Sequence, residues 1–429
     1  MSLPAPMVRV IVVSHNACDL TLANLRSVFA TSWPRDRLEV VLVDNASTDA
    51  VVARVRDELP AVRVMTNPAN IGFGAANNRA LRDRRAIDYC ALINNDATVD
   101  PDWLAPLVEA LEADASLGAA CPKILLSSRF VPVVLRSTTR QRGRGDPRQL
   151  GVRLSGARVG DTDILARVKA RSGFWGHEPG GEWTASESEL LVPVPPEGAP
   201  ACQLRLDSEV PVRVEVSVGT RSAQLDVGLD PAWFRIPLGD APIDVVNSVG
   251  SDWTEDGFGA DRGYLEPDDG QYDQSQDVFA WSGAAVLLRS AYLDDVGLFD
   301  ERLFLYYEDL ELAWRGRERG WRYRYVPQSV VRHVHSATSV EASPMTRRLN
   351  ERNRLLVLTR YGGYKQALRA IYRYLLVTAS YARRDLIAPL LRGHRPDAHV
   401  VEVRLRALAG YARRVVGYLP RQGSRGRPQ

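Results

Sequence analysis

Cysteine, lysine and long apolar runs are all scarce in this chain of 429 residues. The four cysteines, Cys18, Cys90, Cys121 and Cys202, stand singly, without the paired spacing of a zinc site or a redox pair, so a reducing compartment is expected. No uncharged apolar stretch is long enough to cross a bilayer, and MSLPAP leads straight into a strand-like run without a charged-then-apolar leader. The expected location is therefore cytoplasmic. Lysine supplies only three of the 55 basic residues, a bias that fits a GC-rich genome and carries no functional reading.

What is present is unevenly charged. The net charge is +3, yet from Ala342 to the end 19 Lys and Arg face four acids, a surplus of +15 that leaves residues 1–341 at about −12. Between Asp252 and Asp277 nine acids face one base, Arg262, and read as solvated loop carboxylates. The length suits two or three domains.

The first 125 residues alternate apolar β-rich runs (Val8 to Val13, Leu38 to Val43, Val62 to Met65, Tyr89 to Ile93) with segments of helical period such as Leu20 to Phe29 and Val51 to Leu59. This predicts βαβ units and a parallel sheet, in which ligands bind beyond the carboxyl ends of the strands. Three polar clusters then share one rim: Ser14 to Asn16, Asp44 to Ser47, and Asn94 to Asp96. Each has a plain alternative as a turn or helix cap, since Asn, Asp, Ser and Thr are preferred there.

Six segments occur in order: VIVVSHN, VVLVDNASTD, NPANIGFGAANN, LINNDATVDPDWL, WSGAAVLLR and FLYYEDLELAWR. Together they resemble the inverting family 2 glycosyltransferases of the GT-A fold, nearest the bacterial branch of rhamnosyl- and galactofuranosyltransferases, over roughly residues 7–135 and 244–360. The resemblance implies a nucleotide-diphosphate sugar donor contacted by Ser14, Asn16 and Asp44 on the nucleoside side and by Asn70, Gly72, Asn78, Asn95 and Asp96 on the diphosphate side. Asp96 stands where the family has the last Asp of its Asp-x-Asp motif, with Asn94 in place of the first. A divalent cation, Mg2+ or Mn2+, would take oxygen ligands there.

In the second half, Glu308 and Asp309 lie among Phe304, Leu305, Tyr306, Tyr307 and Leu310. Aromatic surroundings raise a carboxyl pKa, as suits a general base; alone, EDLEL also reads as an acidic first helical turn. The resemblance makes Asp309 the base and Glu308 its neighbour, places Trp281, Gly283 and Ala284 with Glu308 on the acceptor side, and sets Glu311 where an Asp is usual. Arg315 is one turn away. In VVRHVHSATS, alternation puts His333 and His335 on one side of an extended segment. The resemblance favours His333 as the metal ligand beside Asp96, with His335 as the alternative.

Residues 139–243 interrupt the pattern with period-two alternation, as in PVRVEVSVG, and predict an inserted antiparallel β-sandwich. Trp175, Trp183 and Trp233 read either as sugar-stacking or as core aromatics. Beyond Pro344 the chain is helical; Val401, Leu405, Leu408, Tyr411, Ala412, Val415 and Leu419 form a stripe beside arginines, which suits packing or an anionic membrane surface. The expected division is residues 1–140 and 243–345 for a Rossmann-like α/β catalytic domain, 141–242 for the insert and 346–429 for a basic amphipathic helical region.

The expected activity is inverting transfer of a sugar, first L-rhamnose from dTDP-rhamnose and second a UDP-sugar, to a glycan or polyprenyl-linked glycan in cell-envelope polysaccharide assembly. No nucleic-acid partner is expected, and the enzyme would sit peripherally on the inner face of the cell membrane. A sugar-phosphate nucleotidyltransferase and an inert glycan-binding protein are the rival readings. The first would normally carry a basic glycine-rich turn where this chain has SHNACDL.

Overall fold

The structure, a computed structural model, describes residues 4–143, 146, 148–178, 180–195, 197–239, 241–334 and 343–419. The chain divides into two compact units, one of Met1–Leu125, Asn247–Tyr264 and Gly270–Gln429, the other of Leu126–Val246 and Leu265–Asp269.

The first unit is built on a mixed sheet. Its strands are β1 (Val8–Ser14), β2 (Leu38–Asp44), β3 (Arg63–Thr66), β4 (Tyr89–Asn94), β5 (Ala97–Val99), β6 (Leu117–Leu126), β7 (Gln276–Val278), β8 (Ala285–Arg289) and β9 (Arg322–His333). They run in the order β7-β9-β6-β8-β4-β1-β2-β3, with β5 beside β9. The β-branched runs VRVIVVS and LEVVLVD are buried on both faces, as parallel central strands require. Helices α1 (Cys18–Phe29), α2 (Val51–Glu58), α3 (Phe73–Leu81) and α4 (Leu104–Ala113) connect them. Leu22, Leu25, Val51, Val55, Leu104 and Leu107 close the core against β1, β2 and β4.

Register decides what reaches the rim. Pairing of β1 with β2 and β4 aligns Ser14 with Asp44 and Val13 with Asn94, so three strands end level. β8 runs antiparallel to β4 with Ala285 opposite Ile93, which brings its preceding residues, Gly283 and Ala284, to the same rim. β9 continues past the predicted Val326 and pairs antiparallel with β5, placing His333 opposite Ala97. Five strand ends from distant parts of the sequence therefore converge. The helices α5 (Ser290–Val296) and α6 (Glu308–Arg317) follow β8, and α6 starts at this rim.

The cap readings are answered locally. Asp44 accepts the Ser47 amide (3.2 Å) within the turn, whereas Asp49 accepts the amides of Val51 (3.2 Å) and Cys18 (2.9 Å). No side chain caps α4 or α6.

The second unit is all β. Strands Arg221–Val227, Val212–Val218, Arg129–Ser137, Gly181–Val194, Arg153–Val159, Ala201–Asp207 and Ala232–Pro237 follow one another in a single antiparallel sheet. Strand Arg129–Ser137, read from the sequence with the catalytic domain, pairs with Gly181–Val194 and Val212–Val218 instead. Val212, Val214, Val216 and Val218 alternate inward as expected. Among the described residues this unit has no α-helix, so only the sheet folding over itself can bury Leu190, Leu204 and Val214. Trp183 is core, whereas Trp175 and Trp233 are exposed by about two-fifths.

The C-terminal helices α7 (Pro344–Tyr361), α8 (Gly363–Ala382) and α9 (His399–Ala412) share a core of Leu355, Leu358, Ala370, Tyr374, Ala407 and Tyr411 with Leu303 of the first unit's own loop. The last-helix stripe is split: Val401 and Tyr411 are buried, but Leu405 and Leu419 are exposed. No described helix is long and apolar enough to cross a membrane.

The amide of Leu126 donates to the Val245 carbonyl (2.8 Å), so the ends of the β unit meet. Replacing residues 127–244 with a short Gly/Ser linker is expected to leave a soluble first unit with unchanged nucleotide affinity by calorimetry. Insoluble product across several linker lengths would show the insert to be integral.

Candidate functional site

The rim opens into a cavity of about 670 Å³ lined by residues from every converging strand end. Of the residues singled out in the sequence, Asn70, Gly72, Asn95, Gly283, Ala284, Glu308, Asp309 and His333 line it. Ser14, Asn16, Asp44, Asn78, Asp96 and Trp281 do not. His335 lies outside the described residues.

The absent group has other work. Ser14 is fully buried, and its hydroxyl meets Thr21 (2.9 Å) and the Asn16 carbonyl (3.0 Å). Asn16 accepts from the Thr48 amide (2.8 Å), tying the first polar cluster to the second. Asn78 donates to the Phe299 carbonyl and accepts from the Phe299 amide, both at 3.0 Å, and so joins α3 to the segment before α6. Trp281 is buried edge-on to Phe299.

Asn45 organises the glycine-rich loop. Its amide donates to Asn70 Oδ1 (2.8 Å), and its oxygen accepts from the Ile71 amide and from Asn67, both at 3.0 Å. Gly72 then takes φ +88°, and a Cβ there would strike the Phe304 carbonyl, which already accepts the Phe73 amide (2.8 Å). The donor-side loop is thereby packed against the acidic turn.

That turn is strained. Phe304, Tyr306 and Tyr307 have φ of 68°, 71° and 69°, and such conformations cost on the order of 1–3 kcal/mol each for residues with side chains. One buried side chain holds them: Asn353 Nδ2 lies 2.8–2.9 Å from the carbonyls of Leu303, Leu305 and Tyr306. Arg352 Nε donates to Asn353 Oδ1 (2.8 Å), which fixes the amide's orientation.

The turn presents two carboxyls. Asp309 accepts the amides of Gly283 and Leu310, both at 2.8 Å, so its position is held from two directions. Burial pushes its pKa upward. Glu308 is also raised, by burial and then by the charge of Asp309, and its Oε2 has no hydrogen-bond partner. Two amide donors favour the ionised form of Asp309, so the pair's proton belongs on Glu308. Glu311 is different. Arg315 (2.7 Å) and the Tyr361 hydroxyl (2.6 Å) engage both its oxygens, which makes it a structural anchor.

Asp96 Oδ1 lies 3.0 Å from His333 Nε2, and both residues are buried. His333 Nδ1 faces Asn247 Oδ1 at 2.7 Å, which calls for a proton on Nδ1; with Nε2 unprotonated, its lone pair would face the Asp96 carboxylate. Two facing acceptors fit a shared cation. Among the described residues no group of three or more His, Cys, Asp or Glu is arranged to hold a metal ion, so this pair would supply two ligands. Water and phosphate oxygens suit the remainder of a Mg2+ or Mn2+ shell.

Sequence reasoning missed Asp261 and Asn353, and placed Asn45 on the rim without its role in the glycine-rich loop. Asp261 was hidden in the acid-rich stretch read as solvated. It opens onto the cavity, yet surrounding protein pushes its pKa up to about 6, with Asp309 adding to the shift. Asn45 sat within a quoted motif at a strand end. Nothing local distinguished Asn353, since its partners lie about 50 residues away.

Asn353→Ala is expected to destabilise the protein by roughly 1–3 kcal/mol in chemical denaturation. Displacement of the carboxyls should lower turnover by about 10²-fold. Wild-type turnover in that variant would show that the turn holds itself.

A model described as "Glycosyl transferase family 2" matches residues 9–167, and one described as "Glycosyltransferase like family 2" matches residues 266–354. The chain is 40% identical over 73 residues to an N-acetylglucosaminyl-diphospho-decaprenol L-rhamnosyltransferase of Mycobacterium tuberculosis, a match covering 17% of this chain. It spans about a quarter (24%) of that relative's length. An uncharacterised protein of Sinorhizobium fredii is 34% identical over 113 residues, 25% of this chain and 12% of that protein. Among solved structures, GalNAc-T7 with UDP, GalNAc and Mn2+ has a TM-score of 0.48 at 15% identity, covering 94% of this chain and 54% of that one. The mannosyltransferase PcManGT of Pyrobaculum calidifontis with GDP-Man and Mn2+ has a TM-score of 0.43 at 16% identity, covering 96% and 89%. Both likenesses are too distant to carry an argument. The two family models take in the glycine-rich loop, the Asn94–Asp96 cluster, the acidic turn and His333, together 248 of the 429 residues, and the chain belongs to glycosyltransferase family 2.

Proposed function

We propose that this glycosyltransferase moves a sugar from a nucleotide diphosphate to an acceptor hydroxyl with inversion, using Asp309 as the base. The observation that carries the reading is a carboxyl on the cavity wall, held by two backbone amides beside a second, buried carboxyl. The acceptor oxygen bonds to the anomeric carbon as the carbon–diphosphate bond breaks. Its proton passes to Asp309, and the diphosphate leaves with the bonding electron pair. Asn70, Gly72 and Asn95 line the donor side; Gly283, Ala284 and Glu308 line the acceptor side. A divalent cation at Asp96 and His333 would neutralise charge developing on the leaving diphosphate. Family membership sets aside the nucleotidyltransferase and inert-binder readings.

The donor favoured is dTDP-L-rhamnose, with a UDP-sugar second, and the acceptor is a lipid-linked glycan of the cell envelope. The named activity of the mycobacterial relative supports the rhamnosyl group and the lipid-linked acceptor, through a short match. Work on such an acceptor calls for a place on the membrane. Along α8, Tyr364, Leu368, Tyr372, Leu375 and Leu376 recur on one face and are 45–70% exposed, flanked by exposed Lys365, Arg369 and Arg383. An unpartnered apolar stripe edged with cations matches an anionic bilayer surface, in a cytoplasmic, peripheral mode.

General-base catalysis contributes about 10²- to 10⁴-fold, and Asp309→Asn should lower turnover by that factor while donor affinity holds. The product's anomeric configuration, read by NMR, should be opposite to the donor's. Because the Asp309 pKa is raised and the base acts ionised, wild-type kcat/KM should fall on acidification at a pH above the ordinary carboxylate range, about 3.9. Stability runs the other way. Carboxyls whose folded pKa exceeds the unfolded value stabilise fully below the unfolded value and lose that contribution as pH rises through the folded one. Near-normal turnover in the Asn variant would move the role to Glu308.

Asp96→Ala should abolish the Mn2+-dependent part of nucleotide binding in calorimetry without lowering Tm by more than a few degrees. Affinity indifferent to EDTA in the wild type would remove the metal role.

Replacing Leu368, Tyr372 and Leu376 together by Glu should weaken binding to anionic liposomes at least about tenfold, and salt should weaken the wild type. Equal binding by both proteins would leave α8 as an ordinary surface. These exposed positions test the face better than removing residues 397–429, because α9 carries core residues Ala407 and Tyr411.

A further inference from the structure

Beside the catalytic cavity, in the same unit, lies a second one of about 490 Å³. The two share Gly259, Tyr307 and Asn350, so they adjoin at the residue that immediately precedes the acidic pair. The second cavity's character is cationic and aromatic. Arg347, Arg354 and Arg404 face it, with Glu351 as its lone carboxylate.

Glu351 is divided between two of them: it accepts from Arg354 at 2.9 Å and lies 3.9 Å from Arg404. The guanidinium of Arg354 lies 4.2 Å over the ring of Phe258, and that of Arg404 lies 3.9 Å over Tyr374. Stacking and hydrogen bonds, from Arg354 to Glu351 and from Arg404 to Thr378 and the Tyr374 carbonyl, hold both planes in place, so little rotamer freedom remains to be lost when an anion arrives at their other N–H groups. Arg347 is exposed at the wall, and among the described residues its guanidinium has no carboxylate partner. A wall with three arginines and one shared carboxylate is left with excess positive charge. Phosphate oxygens, like carboxylates, match the guanidinium fork bidentately.

We infer that this cavity is a subsite for a phosphate or diphosphate carried by the acceptor, next to the sugar whose hydroxyl reaches Asp309. The inference rests on the transfer reading above. A neutral glycan would leave the charge beyond what Glu351 offsets, that of Arg347 above all, without a counter-ion, whereas a phosphate-bearing one would engage both cavities at once. Adjacency also makes the subsite a selector: an acceptor lacking the phosphate would lose a contact made outside the reacting centre.

The test is calorimetric titration of the full chain with citronellyl diphosphate, with citronellol as the neutral control. EDTA and saturating dTDP keep the probe off the donor side. Binding by the diphosphate alone is expected. Arg347→Glu, which reverses a charge on the wall, and Val403→Trp, which fills the cavity, should each weaken it at least about tenfold. Circular dichroism and thermal melting verify that both variants are folded. Equal binding of citronellol, or undiminished diphosphate binding by both folded variants, would overturn the subsite. No donor sugar is used, so a wild-type protein that turns over no nucleotide sugar would sink the transfer reading and leave this result standing on its own.

Discussion

The site depends on a backbone conformation that the local sequence disfavours. Phe304, Tyr306 and Tyr307 all take positive φ, a region where a Cβ is crowded. The surrounding structure overrides that preference from two sides. Asn353 collects three carbonyls of the turn, and the Gly72–Phe73 backbone packs against the Phe304 carbonyl, with Phe73 donating to it. Without those contacts α6 would start in a different direction, and Glu308 and Asp309 would not face the cavity. Strain of this kind persists where it aims reactive groups.

The electrostatics follow from the same placement. A carboxyl pair at the start of a helix would ordinarily be solvated and stabilised by the helix dipole. Here burial raises both, and the Gly283 and Leu310 amides decide which one ionises. Asp261, on the facing loop, is raised in the same enclosure. Three carboxyls thus line one cavity, Asp261 at its solvent-exposed edge, with no guanidinium among the lining residues, while the arginines line the neighbouring cavity. That separation leaves one region suited to accepting a proton and the next to holding an anion.

The C-terminal helices connect this chemistry to stability. Arg352 and Asn353 of α7 hold the turn, Tyr361 at its end engages Glu311, and Leu355 to Leu358 pack into the core that α8 and α9 complete. The basic segment that the charge count sets apart is therefore part of the catalytic unit. Its inner face packs, while α8 keeps an exposed apolar outer face.

Much of the scaffold was legible because its signals are local. Alternating β-branched runs and helical periods located β1 to β4 and α1 to within about a residue or two, and period-two alternation located the inserted sheet. The polar residues ending those strands marked the rim, and motif resemblance pointed to Glu308, Asp309 and His333, which line the cavity. What the sequence could not supply were choices made by long-range contacts. Whether a rim residue faces the cavity or is spent within the frame, as with Ser14, Asn16 and Asn78, depends on partners that only the fold brings near. Asp261 reads as a solvated acid and is exposed, but only the fold brings it to the edge of the cavity beside Asp309. Asn353 carries no local mark at all. Composition and periodicity determined the strands and helices, since each residue's preference acts over a few neighbours. The tertiary structure alone decided the strained turn, the ordering of the carboxyl pair and the arginine-lined cavity, because backbone strain and desolvation are set by groups dozens to hundreds of residues apart.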